Sequence, residues 1–108
     1  MSVKDEDNSF QVLGNLDRII HEPARLLILA YLYVVESADF LFLMRQTELT
    51  KGNLSSHLSK LESAGYVNIE KKFINKIPRT MLSLSDQGRQ AFKIYKDRMS
   101  KVFDDLPD

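Results

Sequence analysis

The sequence predicts a mainly α-helical fold with one small β-hairpin, and three observations carry that prediction. Apolar residues recur at helical spacing before Ala64 and after Ser85, whereas between Val67 and Leu84 they alternate at every second position. Capping and stop residues (Asp39, Thr50, Gly65 and Ser85) stand at the edges of these periodic stretches. The chain has 108 residues, 44% of them hydrophobic and 28% charged, which suits one soluble domain around one core.

The elements follow in chain order. Apolar residues at Phe10, Leu13, Leu16, Ile19 and Ile20 form the stripe of a first amphipathic helix. Pro23 and Ala24 open a second, which runs to about Glu36; Leu26 to Leu29 and Tyr31 to Val35 leave it no polar face, so it must be covered on several sides. Asp39 caps a short third helix from Phe40 to about Gln46. Thr50 caps a fourth from Lys51 to Ala64, ended by Gly65 in the left-handed region, with Tyr66 packing back on Leu61. Val67 and Ile69, then Thr80, Leu82 and Leu84, are read as two strands joined by a turn over Phe73 to Pro78. Ser85 caps the last helix, which ends near Leu106 just before Pro107. Residues 1–9 read as a disordered tail and 10–106 as the folded domain, without repeats or linkers.

Composition excludes several classes of function. With no cysteine, disulfides, thiolate nucleophiles and thiolate metal sites are ruled out. The longest apolar run, Leu26 to Val35, is too short to span a membrane, and Met1 to Ser9 lacks the features of a signal peptide. A cytoplasmic protein with no membrane partner is expected. His21 and His57 are isolated and make no metal site, His57 reading as a boundary residue packed against the core. No carboxylate pair flanks a nucleophile and no Gly-rich phosphate loop occurs, so neither enzymatic activity nor a cofactor is expected.

The formal net charge is zero, but its distribution is uneven. Between residues 45 and 80, Arg45, Lys51, Lys60, Lys71, Lys72, Lys76 and Arg79 outnumber Glu48, Glu62 and Glu70 by four, while residues 1–44 are net acidic. That basic third contains a short helix, a four-residue turn with Leu49 as its buried residue, and a second helix. This is the order of a helix-turn-helix, whose second helix lies in the major groove of double-stranded DNA.

On the fourth helix Leu54, Leu58 and Leu61 share one face, and Gly52, Ser56, Ser59 and Ser63 lie opposite. A merely solvated face would more often carry Glu, Lys or Gln, which are better helix formers, whereas short hydroxyls permit close approach to base edges. Candidate contacts are therefore Thr50, Lys51, Gly52, Asn53, Ser55, Ser56, Ser59 and Lys60. The hairpin adds Lys71, Lys72, Asn75, Lys76 and Arg79, which would touch phosphate or the minor groove; lysines on an exposed ribbon also serve to block edge pairing.

In the last helix Phe92, Tyr95, Met99, Val102 and Leu106 recur as a short heptad seam. The first two helices compete for the same core, so this seam, helped by Phe10, Leu13 and Leu16, is expected to form a homodimer interface.

From about Leu16 to Met99 the chain resembles the MarR/ArsR-type winged helix-turn-helix transcriptional regulators, above all their short one-domain members. The resemblance rests on LTKGNLSSHLSKLESAGYVNIEK, Leu49 to Lys71, and on Arg79 within PRTMLSLSDQG. It implies a winged helix fold dimerising through its terminal helices, with the fourth helix in the major groove and the hairpin as a wing. The chain departs from the group's thiol-based sensors, because it lacks their cysteines. A repressor occupying two half-sites is the simplest function implied. The alternative is a winged helix used for protein contacts in a larger assembly. A small-molecule effector as a further partner is left open.

Overall fold

Each longer helix begins where a side-chain oxygen accepts an otherwise unpaired backbone N–H. Asp39 accepts the N–H of Leu41 at 2.8 Å, Thr50 that of Asn53 at 3.1 Å and Ser85 that of Gly88 at 2.9 Å. In the computed structural model, which describes residues 11–108, these caps open α3 (Phe40–Thr47), α4 (Lys51–Ser63) and α5 (Asp86–Asp105). Before them lie α1, whose described residues are 11–14, then α2 (Pro23–Val34) and the strand β1 (Ala38–Asp39). The hairpin strands are β2 (Val67–Ile74) and β3 (Ile77–Leu84). Phe10 and the tail assigned to 1–9 lie outside the described residues.

The first helix ends earlier than its apolar stripe suggests. Helical structure stops at residue 14, and the Asp17 carboxylate accepts the backbone N–H groups of Ile19 and Ile20 at 2.9 and 3.3 Å. Such local bonding offers the backbone a turn in place of a helix. Leu16 and Ile20 therefore reach the core from a loop. Glu22 caps α2, accepting the N–H of Arg25 at 2.8 Å ahead of Pro23 in the first turn.

The sheet also departs from expectation, having three antiparallel strands in the order β1-β3-β2. The added strand is a two-residue piece, pairing Ala38 with Leu82 and Asp39 with Met81. The hairpin turn is tighter than the stretch from Phe73 to Pro78 read from sequence. Only Asn75 and Lys76 lie between the strands, at φ +53° and +67°, so pairing continues to Ile74 opposite Ile77. Positive φ at both central residues matches the right-handed strand twist.

Ile20, Ile28, Leu29, Leu32, Leu43, Leu54, Leu61 and Leu82 are fully buried and bring the Asp17 loop, α2, α3, α4 and the sheet into one core. Gly65 at φ +82° ends α4, and Tyr66 N–H bonds back to the Leu61 carbonyl at 2.9 Å. Leu49 is only half-buried; the buried residue beside the helix-turn-helix corner is Thr47, whose hydroxyl donates to the Leu43 carbonyl at 2.7 Å.

The seam read along α5 is largely internal. Phe92 and Tyr95, 8% and 6% exposed, belong to the core, Phe92 meeting Tyr33 edge-on with ring centres 5.2 Å apart. Leu16 is buried in the same cluster, Met99 packs partly against it, and Val102 is 2% exposed. Five apolar side chains awaiting a partner chain is thus an overcount: α5 turns part of its stripe onto its own domain. Its exposed apolar residues are Ile94 and Phe103, with Leu106 exposed just past its end and Leu13 exposed on α1.

Candidate nucleic-acid interface

The corner between α3 and α4 is made by Glu48, which takes the left-handed conformation at φ +57° and ends α3. Thr47 Oγ1 accepts the Leu49 N–H at 3.4 Å, and Thr50 then starts α4. Leu54, Leu58 and Leu61 seat α4 on the core. That seating turns Lys51, Gly52, Asn53, Ser55, Ser56, Ser59 and Lys60 outward, all exposed. Thr50 is exposed too, although its hydroxyl is engaged as the cap. A methyl group at Gly52 would meet nothing within 4 Å, so packing inside the chain does not require glycine there.

Beside α4 the sheet forms the second wall of a groove of about 530 Å³. Lys51, Ser55 and Ser59 line it from α4, Ile69 and Lys71 from β2, and Thr80 from β3. Ser55, Ser59, two lysines and the wing base thus converge on one concave surface, while Gly52, Ser56 and Lys60 are exposed outside its lining.

The wing cations differ in their surroundings. Lys71 and Lys76 are exposed and carry no ion pair among the described residues. Lys72 approaches Glu70 at 3.6 Å in an exposed pair. Arg79 is already engaged: its guanidinium donates to the Asp39 carboxylate at 2.8 Å, tying the wing to the residue that caps α3. Asn75 serves the turn, where its positive φ closes the hairpin.

Sequence reasoning missed the cluster behind α4. Arg25 is buried; its Nε donates to the Ile19 carbonyl at 2.6 Å, and a terminal nitrogen donates to His57 Nδ1 at 3.2 Å. Glu22 Oε2 lies 3.8 Å from the Arg25 guanidinium and 3.7 Å from His57. Burial works to raise the Glu22 pKa, but the N–H groups of Arg25 and Ala24 and the Arg25 guanidinium charge leave it below the ordinary value. The cluster braces α4 against α2 and the preceding loop. Its one visible signal was Glu22 three residues ahead of Arg25, flanking Pro23.

On the far side, the Tyr66 hydroxyl donates to Asp17. Burial, then the Asp17 carboxylate as acceptor and as charge, push the Tyr66 pKa up to about 12. Tyr95 shares a 2.8 Å hydrogen bond with His21 Nδ1. These tyrosines, with Leu16 and Arg98, bound a smaller cleft of about 230 Å³. Among the described residues, no group of three His, Asp or Glu side chains is placed to hold a metal ion, and no helix is long and apolar enough to cross a membrane.

Comparison with known proteins places this geometry. Residues 24–103 match the family described as the winged helix DNA-binding domain. An uncharacterized protein of Methanocaldococcus jannaschii is 40% identical over 78 residues, covering 72% of this chain and 85% of that protein. The structure of a transcriptional regulator homologue protein from Pyrococcus horikoshii OT3 aligns with a TM-score of 0.83 at 30% identity, over 92% of this chain and 99% of that one. The PcaV transcriptional regulator from Streptomyces coelicolor, solved in complex with its natural ligand, aligns with a TM-score of 0.70 over 92% of this chain and 69% of that one. At 14% identity it shares the fold alone.

Proposed function

The chain belongs to the winged helix DNA-binding domain family and has the fold of the MarR/ArsR-type regulators, and from that premise we propose that it is a sequence-specific double-stranded DNA-binding regulator acting as a cytoplasmic homodimeric repressor. The observation that carries the reading is the outward strip of α4. Gly52, Ser56 and Ser59 are exposed, small and uncharged, with Lys51 and Lys60 beside them and Lys71 across the groove. A strip of that size lets the helix backbone approach base edges while the lysines meet phosphates on either side. Arg79 is assigned a bracing role through Asp39 in place of a phosphate contact, because its guanidinium is half-buried in that pair.

The dimer rests on a smaller surface than the sequence suggested. Leu13 of α1, Ile94 and Phe103 of α5 and Leu106 just past it are exposed apolar residues, with Phe103 62% exposed. The radius of gyration is 16.5 Å, where a compact chain of this length would have about 13 Å, so the molecule is drawn out. A two-fold arrangement would set the two α4 helices about 34 Å apart, in successive major grooves. The domain over 10–106 acts as one DNA-binding unit in this proposal, with no catalytic step. The cleft of about 230 Å³ is the place for a small-molecule effector, as PcaV was solved with its own ligand.

Selection of the preferred duplex from a random pool, followed by gel shifts with Ser56→Glu and Ser59→Glu, tests the assignment. Both side chains are exposed, so the variants should keep their circular dichroism and melting behaviour while binding at least a hundredfold more weakly. Full affinity in folded variants would remove the α4 strip from the interface.

A further inference from the structure

The tip of the wing is apolar, and neither the core nor the contacts assigned above use it. Phe73 is 79% exposed, Ile77 51% and Ile74 43%, in consecutive rungs next to a turn of Asn75 and Lys76. Scattered exposed apolar residues are ordinary, but three at one hairpin tip are not, because tips are usually polar.

The register decides which face each occupies. Alternate residues of a strand share a face, so Ile69, Lys71 and Phe73 of β2 lie on one side with their partners Leu82, Thr80 and Pro78. Ile69, Lys71, Thr80 and Leu82 line the groove shared with Lys51, Ser55 and Ser59 of α4. Phe73 therefore extends the groove-facing side of the wing one step past Lys71. Two residues along a strand advance by about 7 Å, close to the roughly 6 Å width of the minor groove. With α4 in a major groove and Lys71 at the intervening phosphates, the next position along the ribbon falls in the minor groove.

We propose that Phe73 is an apolar wedge, inserted against a base step of the minor groove so that the wing bends the duplex it binds. This deepens the DNA-binding reading and rests on it. Charge complementarity favours DNA over a protein partner, since Lys71, Lys72 and Lys76 surround the apolar tip and match the phosphates bordering the groove. Apolar side chains inserted in this way unstack a step and kink the duplex by about 20–90°. Specificity then includes how easily the contacted step deforms, at positions where no hydrogen bond is made.

The chain contains no tryptophan, so Phe73→Trp installs a single indole at an exposed position. Binding is followed by the anisotropy of a labelled duplex, contact by indole emission, and bending by energy transfer between dyes at the duplex ends. At saturating duplex the indole emission should fall at least twofold, and the wild-type protein should shorten the end-to-end distance. Phe73→Ala should bind about tenfold more weakly and leave the duplex straight, and Phe73→Leu should retain the bend. A duplex that is bound while indole emission and end-to-end distance stay unchanged overturns the wedge alone. An anisotropy that never rises with the wild-type protein overturns the DNA reading and the wedge with it. A fall in molecular mass for Phe73→Ala without DNA, together with unchanged bending, would assign the tip to protein contact instead.

Discussion

Gly88 sits where α5 meets the start of the hairpin, and a β-carbon there would lie 2.0 Å from the Tyr66 carbonyl oxygen. That oxygen also accepts the Ser85 N–H at 3.0 Å, so it cannot withdraw without loosening the start of α5. Gly88→Ala should therefore destabilise the fold by about 1–3 kcal/mol or more, read from urea unfolding. Tyr66 itself gives a pH prediction. Burial, together with the bond to Asp17, raises its pKa to about 12 from an ordinary 10, so its contribution is fully present below pH 10 and lost as pH rises through about 12. Tyr66→Phe should be less stable than the wild type at neutral pH, and the gap should close across that alkaline window. If both proteins lose stability in parallel from pH 10 upward, the Tyr66 hydroxyl is not the cause. Neither feature was legible from one sequence, because a glycine reads as a helix weakness until its neighbour is known and Asp17 and Tyr66 are far apart along the chain.

At the scale of elements, the legible parts were those with local chemistry. Asp39, Thr50 and Ser85 cap their helices and Gly65 ends α4 as their residue types imply, since each acts within a few positions of itself. The strand β1 was not legible, because two residues have no periodicity and exist as a strand only through β3. Asp39 joins both kinds of information: it caps α3 and holds Arg79 of the wing. Asp39→Ala should cost about 0.5–2 kcal/mol as a lost cap, and Asp39→Asn should recover most of that while still lacking the ionic partner. The wing cations should separate in the same way. Lys71→Ala should lower the slope of log affinity against log salt by about 0.9, the value for one phosphate contact, whereas Arg79→Ala should leave it nearly unchanged. Equal slope changes for the two variants would return Arg79 to the DNA surface.

For the whole molecule, fold class and the basic third could be read from periodicity and charge placement, while the division of α5 between core and surface could not. Heptad spacing marks an apolar stripe without saying which chain covers it, and here Phe92 and Tyr95 are covered by their own domain. The proposed dimer draws on Phe103, Leu106 and Ile94, so Phe103→Asp with Leu106→Asp should give a folded 12.5 kDa monomer in light scattering, where the wild type should give twice that mass. Paired half-sites require that dimer, but contact between α4, the wing and duplex DNA does not. The most direct test of that contact is the anisotropy of a labelled random duplex titrated with wild-type protein from about 50 to 200 mM salt. Binding at low salt, weakening linearly in log affinity against log salt with a slope of several phosphate contacts, is the predicted result. No binding at the lowest salt, or an affinity indifferent to salt, would contradict it.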